Sequence, residues 1–258
     1  MQVVSAATPV TYRQDVFDVR LTVRLATRTS ELLAAQQLRY RVFCEEMGAE
    51  HNRHDGRDVD EFDDLCDHLI VIDEKLGKVV GTCRILAPWG SSASKRLCCE
   101  REFRIDSLKP IAHTVHEVGR ACIHPAYRRS VALARLWSGL SAYGREHHVR
   151  YLVTCASVPL EGGSLNMAAL RRDLMAYHLA PEDYRVEPIH GLHSLGDPGG
   201  ARPVLPPLLK NYLRLGAWVC GEPAWCPDTD CAVFFALLRV EGTMAQQAQQ
   251  FRGTRFTQ

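Results

Sequence analysis

The sequence predicts an α/β fold built on a partly parallel sheet. Short apolar strand-like segments alternate with longer segments of helical periodicity along the chain. Two neighbouring strands, 68–73 and 79–86, are separated by a short turn and read as a hairpin. A strand, a helix and another strand follow between 114 and 157, and this order predicts a parallel pair joined by a crossover helix.

The elements of the first half follow from local chemistry. Residues 19–25 alternate apolar and polar side chains, which is typical of a half-buried strand. Residues 27–30 supply helix-cap chemistry, and helical spacing of apolar residues continues to Gly48, a common stop residue. The hairpin strands 68–73 and 79–86 are rich in Val, Ile and Leu, as buried strands are.

The second half begins with a strand at 114–123 that Pro125 ends, followed by a helix at 131–147 and a strand at 151–157. Segments rich in turn-forming residues such as Gly and Pro separate these elements. We predict further helices at 165–179 and 206–216, a last strand at 232–240, and irregular segments at 50–67, 87–110 and 188–207.

The 258 residues with 46% hydrophobic content are enough for one large domain, which we place at 19–241. Residues 1–18 are predicted to be a mobile leader. The Gln-rich segment 242–258 is predicted to be a frayed tail. There is no internal repeat and no linker with a shift in composition.

Charge and hydropathy exclude several classes of protein. The 31 basic and 30 acidic residues give a net charge of +1, so no global field favours nucleic acid. No stretch approaches the ~20 apolar residues of a membrane span, and the N-terminus lacks the pattern of a secretory signal. We therefore expect a cytoplasmic protein and leave open a peripheral contact with the inner membrane.

Ten cysteines are present, several of them inside apolar strand-like runs. Without a secretory signal they are expected to be reduced and buried. No CxxC pair occurs, and the spacing of Cys220, Cys226 and Cys231 matches no zinc pattern. We expect no metal site and no bound cofactor.

Charged residues interrupt two strands that are otherwise apolar. Arg84 lies in 79–86, and Glu117 and Arg120 lie in 114–123. Charges in central strands are unfavourable unless they are paired or functional. We expect Arg84 to need a carboxylate partner, for which Glu117 is a candidate, and a bulge at Gly119 to bring Glu117 and Arg120 to one face.

Two further charged segments have both ordinary and functional explanations. Arg39 and Arg41 interrupt the first helix, where long side chains at the surface are the simpler interpretation. The segment 60–67 holds five carboxylates, including Asp60 and Asp63, and is either a solvated turn or a cup for a cationic substrate.

A third cluster stands where a strand turns into a helix. Arg128, Arg129 and Ser130 precede the helix 131–147. A helix N-terminus attracts anions through its free N–H groups and its dipole. These residues can hold a phosphate, although an ordinary capped helix start explains them equally well.

The charged blocks, taken in order, resemble the ornithine N-acyltransferase family, whose members are also labelled hemolysin-like. The blocks are Leu38-Arg-Tyr-Arg-Val-Phe, Asp60-Glu-Phe-Asp-Asp, Gly81-Thr-Cys-Arg-Ile-Leu and Glu117-Val-Gly-Arg-Ala-Cys-Ile-His-Pro. They also resemble acyl-homoserine-lactone synthases. The stretch from Pro206 to Trp225 resembles only the lipid enzymes, although Cys226 follows it where the resemblance leads us to expect an acidic residue.

The resemblance implies a GNAT-like acyltransferase fold, with a mixed, twisted sheet flanked by helices and splayed after the strand that carries Glu117. It implies acyl carrier protein as the acyl donor and no metal. It also implies that the charged blocks act in catalysis and substrate binding. The residues concerned are Arg41 (or Arg39), Asp60, Asp63, Arg84, Glu117 and Arg120.

From these residues we expect transfer of a 3-hydroxy fatty acyl chain to the α-amine of L-ornithine, giving lyso-ornithine lipid. Glu117 is the expected base for the attacking amine. Asp60 and Asp63 are expected to receive the side-chain ammonium, and Arg128, Arg129 and Ser130 the phosphopantetheine arm or the carrier protein. Direct transfer is preferred to an acyl-enzyme on Cys122. Glycine, lysine or glutamine as acceptor, and lactone synthesis, remain alternatives.

Overall fold

A computed structural model describes six segments of the chain: 20–49, 55–88, 96–160, 164–192, 195–227 and 229–240. The leader and the tail predicted at 1–18 and 242–258 lie outside the described residues.

The observed elements follow the predicted order closely. Four α-helices and ten strands lie in the described segments. The helices are α1 (Thr29–Tyr40), α2 (Ala132–Glu146), α3 (Ser164–Tyr177) and α4 (Pro207–Arg214). The strands are β1 (Leu21–Leu25), β2 (Cys66–Asp73), β3 (Lys78–Leu86), β4 (Phe103–Arg104), β5 (Val115–Ile123), β6 (Tyr151–Pro159), β7 (Glu187–Pro188), β8 (Trp218–Val219), β9 (Ala224–Cys226) and β10 (Cys231–Arg239).

Eight strands form one mixed sheet in the order β1-β2-β3-β5-β6-β10-β8, with β9 also paired to β10. The hairpin of β2 and β3 is confirmed. Strands β5 and β6 are parallel and are joined through α2, as the strand–helix–strand order predicted. The other pairs of this sheet are antiparallel.

Helices cover both faces of the sheet. On one face, α2 packs through Leu136 and Leu140 against side chains such as Val118 of β5, and α3 packs beside it against β6 and β10. On the other face, α1 packs through Ala35 and Leu38 against β2 and β5. Arg39 of α1 and Arg84 of β3 meet at Asp63 on the α1 face.

The central strands separate in the middle of the sheet. Strands β5 and β6 each have nine residues, yet they pair only over Val115–Glu117 and Tyr151–Val153. Beyond Glu117, β5 remains paired with β3, and β6 remains paired with β10. The expected splay is therefore confirmed, and Glu117 is the last paired residue before the two strands diverge.

A β-bulge lies directly after this point. The β3–β5 register passes from Thr82↔Cys122 to Arg84↔Gly119, so β5 has one extra residue. Arg120 adopts φ +52°, a conformation that non-glycine residues rarely take. The bulge predicted at Gly119 is confirmed, but the residue in the left-handed conformation is Arg120, one position later.

Two local features differ from the expectation. The first helix ends at Tyr40 and continues as a π-helical segment, Arg41–Glu46, before Gly48 turns the chain with φ +73°. The segment predicted to be irregular at 87–110 contains β4 and two 3₁₀ segments, Cys98–Arg101 and Asp106–Thr114. The 3₁₀ segments and the two-residue strand are too short for apolar periodicity to distinguish them from loops. In the described segments, no helix has the length and apolar character needed to cross a bilayer.

Candidate active site

Glu117 lies at the point where β5 and β6 separate, and its side chain is buried. Its carboxylate accepts two backbone hydrogen bonds, from Cys98 N–H (2.6 Å) and Cys99 N–H (3.0 Å). Burial raises the pKa of Glu117 to about 7, against the opposing effects of these N–H groups and of Arg84. A carboxylate with a pKa near neutrality can both accept and release a proton at physiological pH, which is what a general base requires.

Arg84 is held by Asp60 and Asp63. Its Nη1 and Nη2 donate to the two oxygens of Asp60 at 2.6 and 2.8 Å, and Nη1 also donates to Asp63 Oδ2 at 3.1 Å. Burial disfavours the charge on Asp60, but the bonds to Arg84 outweigh it and lower the pKa of Asp60 to about 2. The candidate pairing of Arg84 with Glu117 is therefore wrong, because the Cys98 and Cys99 N–H groups hold Glu117 while Asp60 matches the planar guanidinium with two oxygens.

Arg39 is completely buried beneath this pair. Its Nη2 donates to Asp63 Oδ1 at 2.6 Å, and its Nε lies 3.0 Å from Asp58 Oδ2. The interpretation of Arg39 as a surface side chain is wrong, because the face of α1 that carries it packs on the sheet. A buried arginine needs carboxylate partners, and the segment between Asp58 and Asp63 supplies them.

The acidic segment is thus divided between buried and exposed carboxylates. Asp63 is buried and bridges two arginines, whereas Asp64 next to it is exposed. The interpretation of the whole segment as a solvated turn is wrong for Asp60 and Asp63. Their role in receiving a substrate ammonium stays a prediction, and a substrate would share their oxygens with Arg84 and Arg39.

Arg120 is held more loosely than the other two arginines. Its guanidinium lies 3.5 Å from Asp58 Oδ2 and 3.9 Å from Asp60 Oδ2, and it stacks over the ring of Phe43 at 5.6 Å. Its side chain is 37% exposed. The bulge places Arg120 on the face of β5 that carries Glu117, as predicted, beside the Asp60 carboxylate that binds Arg84.

The remaining predicted residues lie around the N-terminus of α2. Arg41 is exposed and its Nη1 contacts His124 Nε2 at 3.0 Å. Arg128 pairs with Glu46 of the π-helical segment. Ser130, two residues before the first residue of α2, accepts a hydrogen bond from Ala132 N–H at 3.1 Å. Arg129 is exposed. Arg41 and Arg129 are therefore the two of these arginines that are exposed and form no ion pair with the described residues.

Sequence reasoning missed three contributors to the site. Asp58 holds Arg39, Phe43 lies under Arg120, and the backbone of the Cys98–Arg101 turn holds Glu117. Asp58 could have been found by counting carboxylates against buried arginines. The two cysteines act through main-chain N–H groups, which leave no side-chain signal in a sequence.

The prediction that the enzyme needs no metal stays a prediction. Across the described segments, no group of three or more His, Cys, Asp or Glu side chains is arranged to hold an ion.

The fold and the site together define an acyltransferase of the GNAT type. Residues 38–138 match the family model described as an acetyltransferase (GNAT) domain. This range covers the blocks with Arg39, Asp60, Arg84 and Glu117 and ends in α2.

The chain belongs to the L-ornithine N(alpha)-acyltransferase family. It is 32% identical to the L-ornithine N(alpha)-acyltransferase of Rhodobacter capsulatus over 95% of this chain and 96% of that protein. It is 35% identical to the enzyme of the same name from Rhizobium meliloti, over 77% of this chain and 73% of that protein. The family that the sequence blocks indicated is confirmed.

Solved structures show the same fold at low identity. The CoA-dependent acyl-homoserine lactone synthase BjaI superposes with a TM-score of 0.56 at 14% identity, covering 91% of this chain and 90% of that one. FeeM, an N-acyl amino acid synthase from uncultured soil microbes, superposes with a TM-score of 0.54 at 14% identity, covering 92% and 97% of the two chains. These likenesses confirm the fold.

We predict that replacing Asp63 by Asn destabilises the protein strongly. The substitution removes the shared carboxylate and leaves Arg39 and Arg84 with fewer anionic partners, and breaking a buried pair typically costs about 3–5 kcal/mol. Chemical denaturation measures the change. Asp64→Asn is the matched control, because its exposed carboxylate should matter by less than about 0.5 kcal/mol. Equal stability of the two variants would contradict the bridging role of Asp63.

Proposed function

We propose that the protein transfers a 3-hydroxy fatty acyl chain from acyl carrier protein to the α-amine of L-ornithine, and so makes lyso-ornithine lipid. The observation that carries this proposal is the buried Glu117, with a pKa near neutrality, at the opening of the sheet. The names of the relatives support ornithine as the acceptor.

The chemistry needs a base and an oxyanion site. The attacking nitrogen must be a neutral amine, so an ammonium proton must leave it, and Glu117 receives that proton directly or through water. The nitrogen then bonds to the thioester carbonyl carbon, and the oxyanion is stabilised by β5 backbone N–H groups beyond Glu117, where the β6 ladder has ended. Collapse breaks the C–S bond; the nitrogen loses its second proton as the amide forms, and the leaving thiolate takes up that proton.

No acyl-enzyme intermediate is needed. Burial raises the pKa of the Cys122 thiol to about 12, so this group is a poor nucleophile at neutral pH. Cys122 packs among Leu38 and Val42 of the α1 side rather than beside a base. We therefore keep direct transfer of the acyl group to the amine.

The donor approaches at the N-terminus of α2. Arg129 is exposed there, and Val131 beside it is 49% exposed. A positive charge next to an apolar side chain complements the acidic surface and the phosphopantetheine arm of a carrier protein.

Because the product is a one-chain lipid that partitions into membranes, we propose that the protein works in the cytoplasm and releases its product at the inner membrane.

Lipid mass spectrometry tests the proposal as a whole. The protein is expressed in a host that makes no ornithine lipids, and its lipids are compared with those of the same host carrying the Glu117→Gln variant. The proposal expects an N-(3-hydroxyacyl)ornithine only with the unaltered protein. A different acyl amino acid, an acyl-homoserine lactone or no acylated amine would each overturn the ornithine assignment.

We predict that the rate depends on the ionisation of Glu117. Because the base form must be deprotonated, kcat/KM should rise with pH up to about 7 and level off above it. Glu117→Gln should lower kcat/KM by about 10²- to 10⁴-fold. Glu45→Gln, a change at an exposed carboxylate, is the control that should leave the pH profile unchanged. An unchanged profile in Glu117→Gln would refute the role as base.

We predict that reversing the charge of Arg129 weakens donor binding. Arg129→Glu should raise KM for acyl carrier protein by about tenfold and change KM for ornithine by less than about twofold, because a rim charge mainly affects encounter with a charged partner. Arg145→Glu, at the other end of α2, is the control. Steady-state kinetics with purified acyl carrier protein measures both constants, and equal effects of the two variants would exclude Arg129 as a docking residue.

A further inference from the structure

Gly119 has no structural requirement for glycine that the described residues explain. Its backbone is not in the left-handed region, since the bulge places Arg120 there instead. A Cβ at position 119 would meet one atom within 4 Å, Arg84 Nε at 3.9 Å. Neither the main chain nor the packing therefore excludes alanine. A glycine inside a strand marks either a bulge or a close approach by a ligand. The bulge conformation here is taken by Arg120, and the space above Gly119 is open, which favours a ligand.

The surroundings of Gly119 are positively charged on two sides. Arg84 is its direct neighbour across the sheet, and the buried Nε of Arg84 has no hydrogen-bond partner in the described segments. Arg120 follows in the chain, is 37% exposed, and within the described segments its ion pairs are long, at 3.5 and 3.9 Å. The terminal nitrogens of Arg84 are held by Asp60, but the Nε edge faces Gly119.

Distances along β5 relate this position to the base. Side chains two residues apart on a strand point to the same face and are spaced by about 6.5 Å. An amine that gives its proton to Glu117 lies within about 3 Å of the carboxylate. The carboxylate of an α-amino acid is about 3 Å further from its own nitrogen. An amino acid that reacts at Glu117 can therefore place its carboxylate over Gly119.

We propose that Gly119 and Arg120 form the subsite for the α-carboxylate of the amino-acid acceptor. The missing side chain of Gly119 lets the carboxylate approach the strand, where Arg120 donates hydrogen bonds to it. Arg84, behind Gly119, adds its positive charge. The inference rests on the proposed function and deepens it, because it explains how the enzyme selects an amino acid rather than a simple amine.

The unaltered enzyme provides the first test. We compare ornithine with ornithine methyl ester, whose carboxylate is neutralised, and with 1,4-diaminobutane, which lacks that group, using acyl carrier protein as donor. Loss of a charge-assisted hydrogen bond should lower kcat/KM by about 10- to 100-fold for both analogues. Equal rates with all three amines would overturn the subsite while leaving ornithine acylation intact. Absence of any ornithine acylation would instead refute the proposed function.

Variants of Gly119 and Arg120 test whether these two residues bind the substrate carboxylate. Gly119→Ala should raise KM for ornithine by about tenfold and leave KM for the acyl donor within about twofold, because the added methyl group occupies the space of the carboxylate. Arg120→Gln should remove most of the discrimination against the methyl ester. Gly191→Ala is the control, since a Cβ at that position would meet no atom within 4 Å and its backbone is not left-handed.

Calorimetric titration of ornithine into each variant without donor separates binding from folding. Weaker ornithine binding by Gly119→Ala, together with an unchanged melting temperature, supports the subsite. A rise in KM for the acyl donor alone, or unchanged ornithine binding in both Gly119→Ala and Arg120→Gln, would overturn it.

Discussion

The carboxylate of Asp63 joins the parts on which the site depends. One of its oxygens is bound by Arg39 of α1 and the other by Arg84 of β3. These contacts fix α1, the acidic segment and the sheet relative to one another. A buried carboxylate between two guanidinium groups is favourable only if both arginines keep further anionic partners, which Asp58 and Asp60 provide.

Because the arginines and aspartates of this network neutralise one another, Glu117 keeps a raised pKa. Three arginines, Arg39, Arg84 and Arg120, face the three aspartates 58, 60 and 63, so the local charges largely cancel. Without an arginine of its own, Glu117 is held by two backbone N–H groups, and burial raises its pKa to about 7. The network thus fixes the elements around the site, while the Glu117 carboxyl remains able to titrate.

Much of the fold could be predicted from the sequence because apolar periodicity and strand–helix order are local signals. The same signals located Arg84, Glu117 and Arg120, since charges in apolar strands are conspicuous. The pairing of these charges could not be predicted. Which carboxylate binds Arg84 depends on how the segment around Asp60 folds over the sheet. The hydrogen bonds that hold Glu117 come from main-chain N–H groups at Cys98 and Cys99. Both depend on long-range geometry rather than on residue type.

The most direct measurement of the central claim is the ionisation of Glu117 itself. Carboxyl ¹³C chemical shifts of glutamate-labelled protein, followed from pH 4 to 9 and compared with Glu117→Gln, isolate the signal of this side chain. The account predicts one carboxyl that titrates near pH 7 and disappears in the variant. If every glutamate carboxyl titrates below about pH 5, as unperturbed glutamates do, the pKa of Glu117 is not raised and its role as a general base near neutral pH is contradicted.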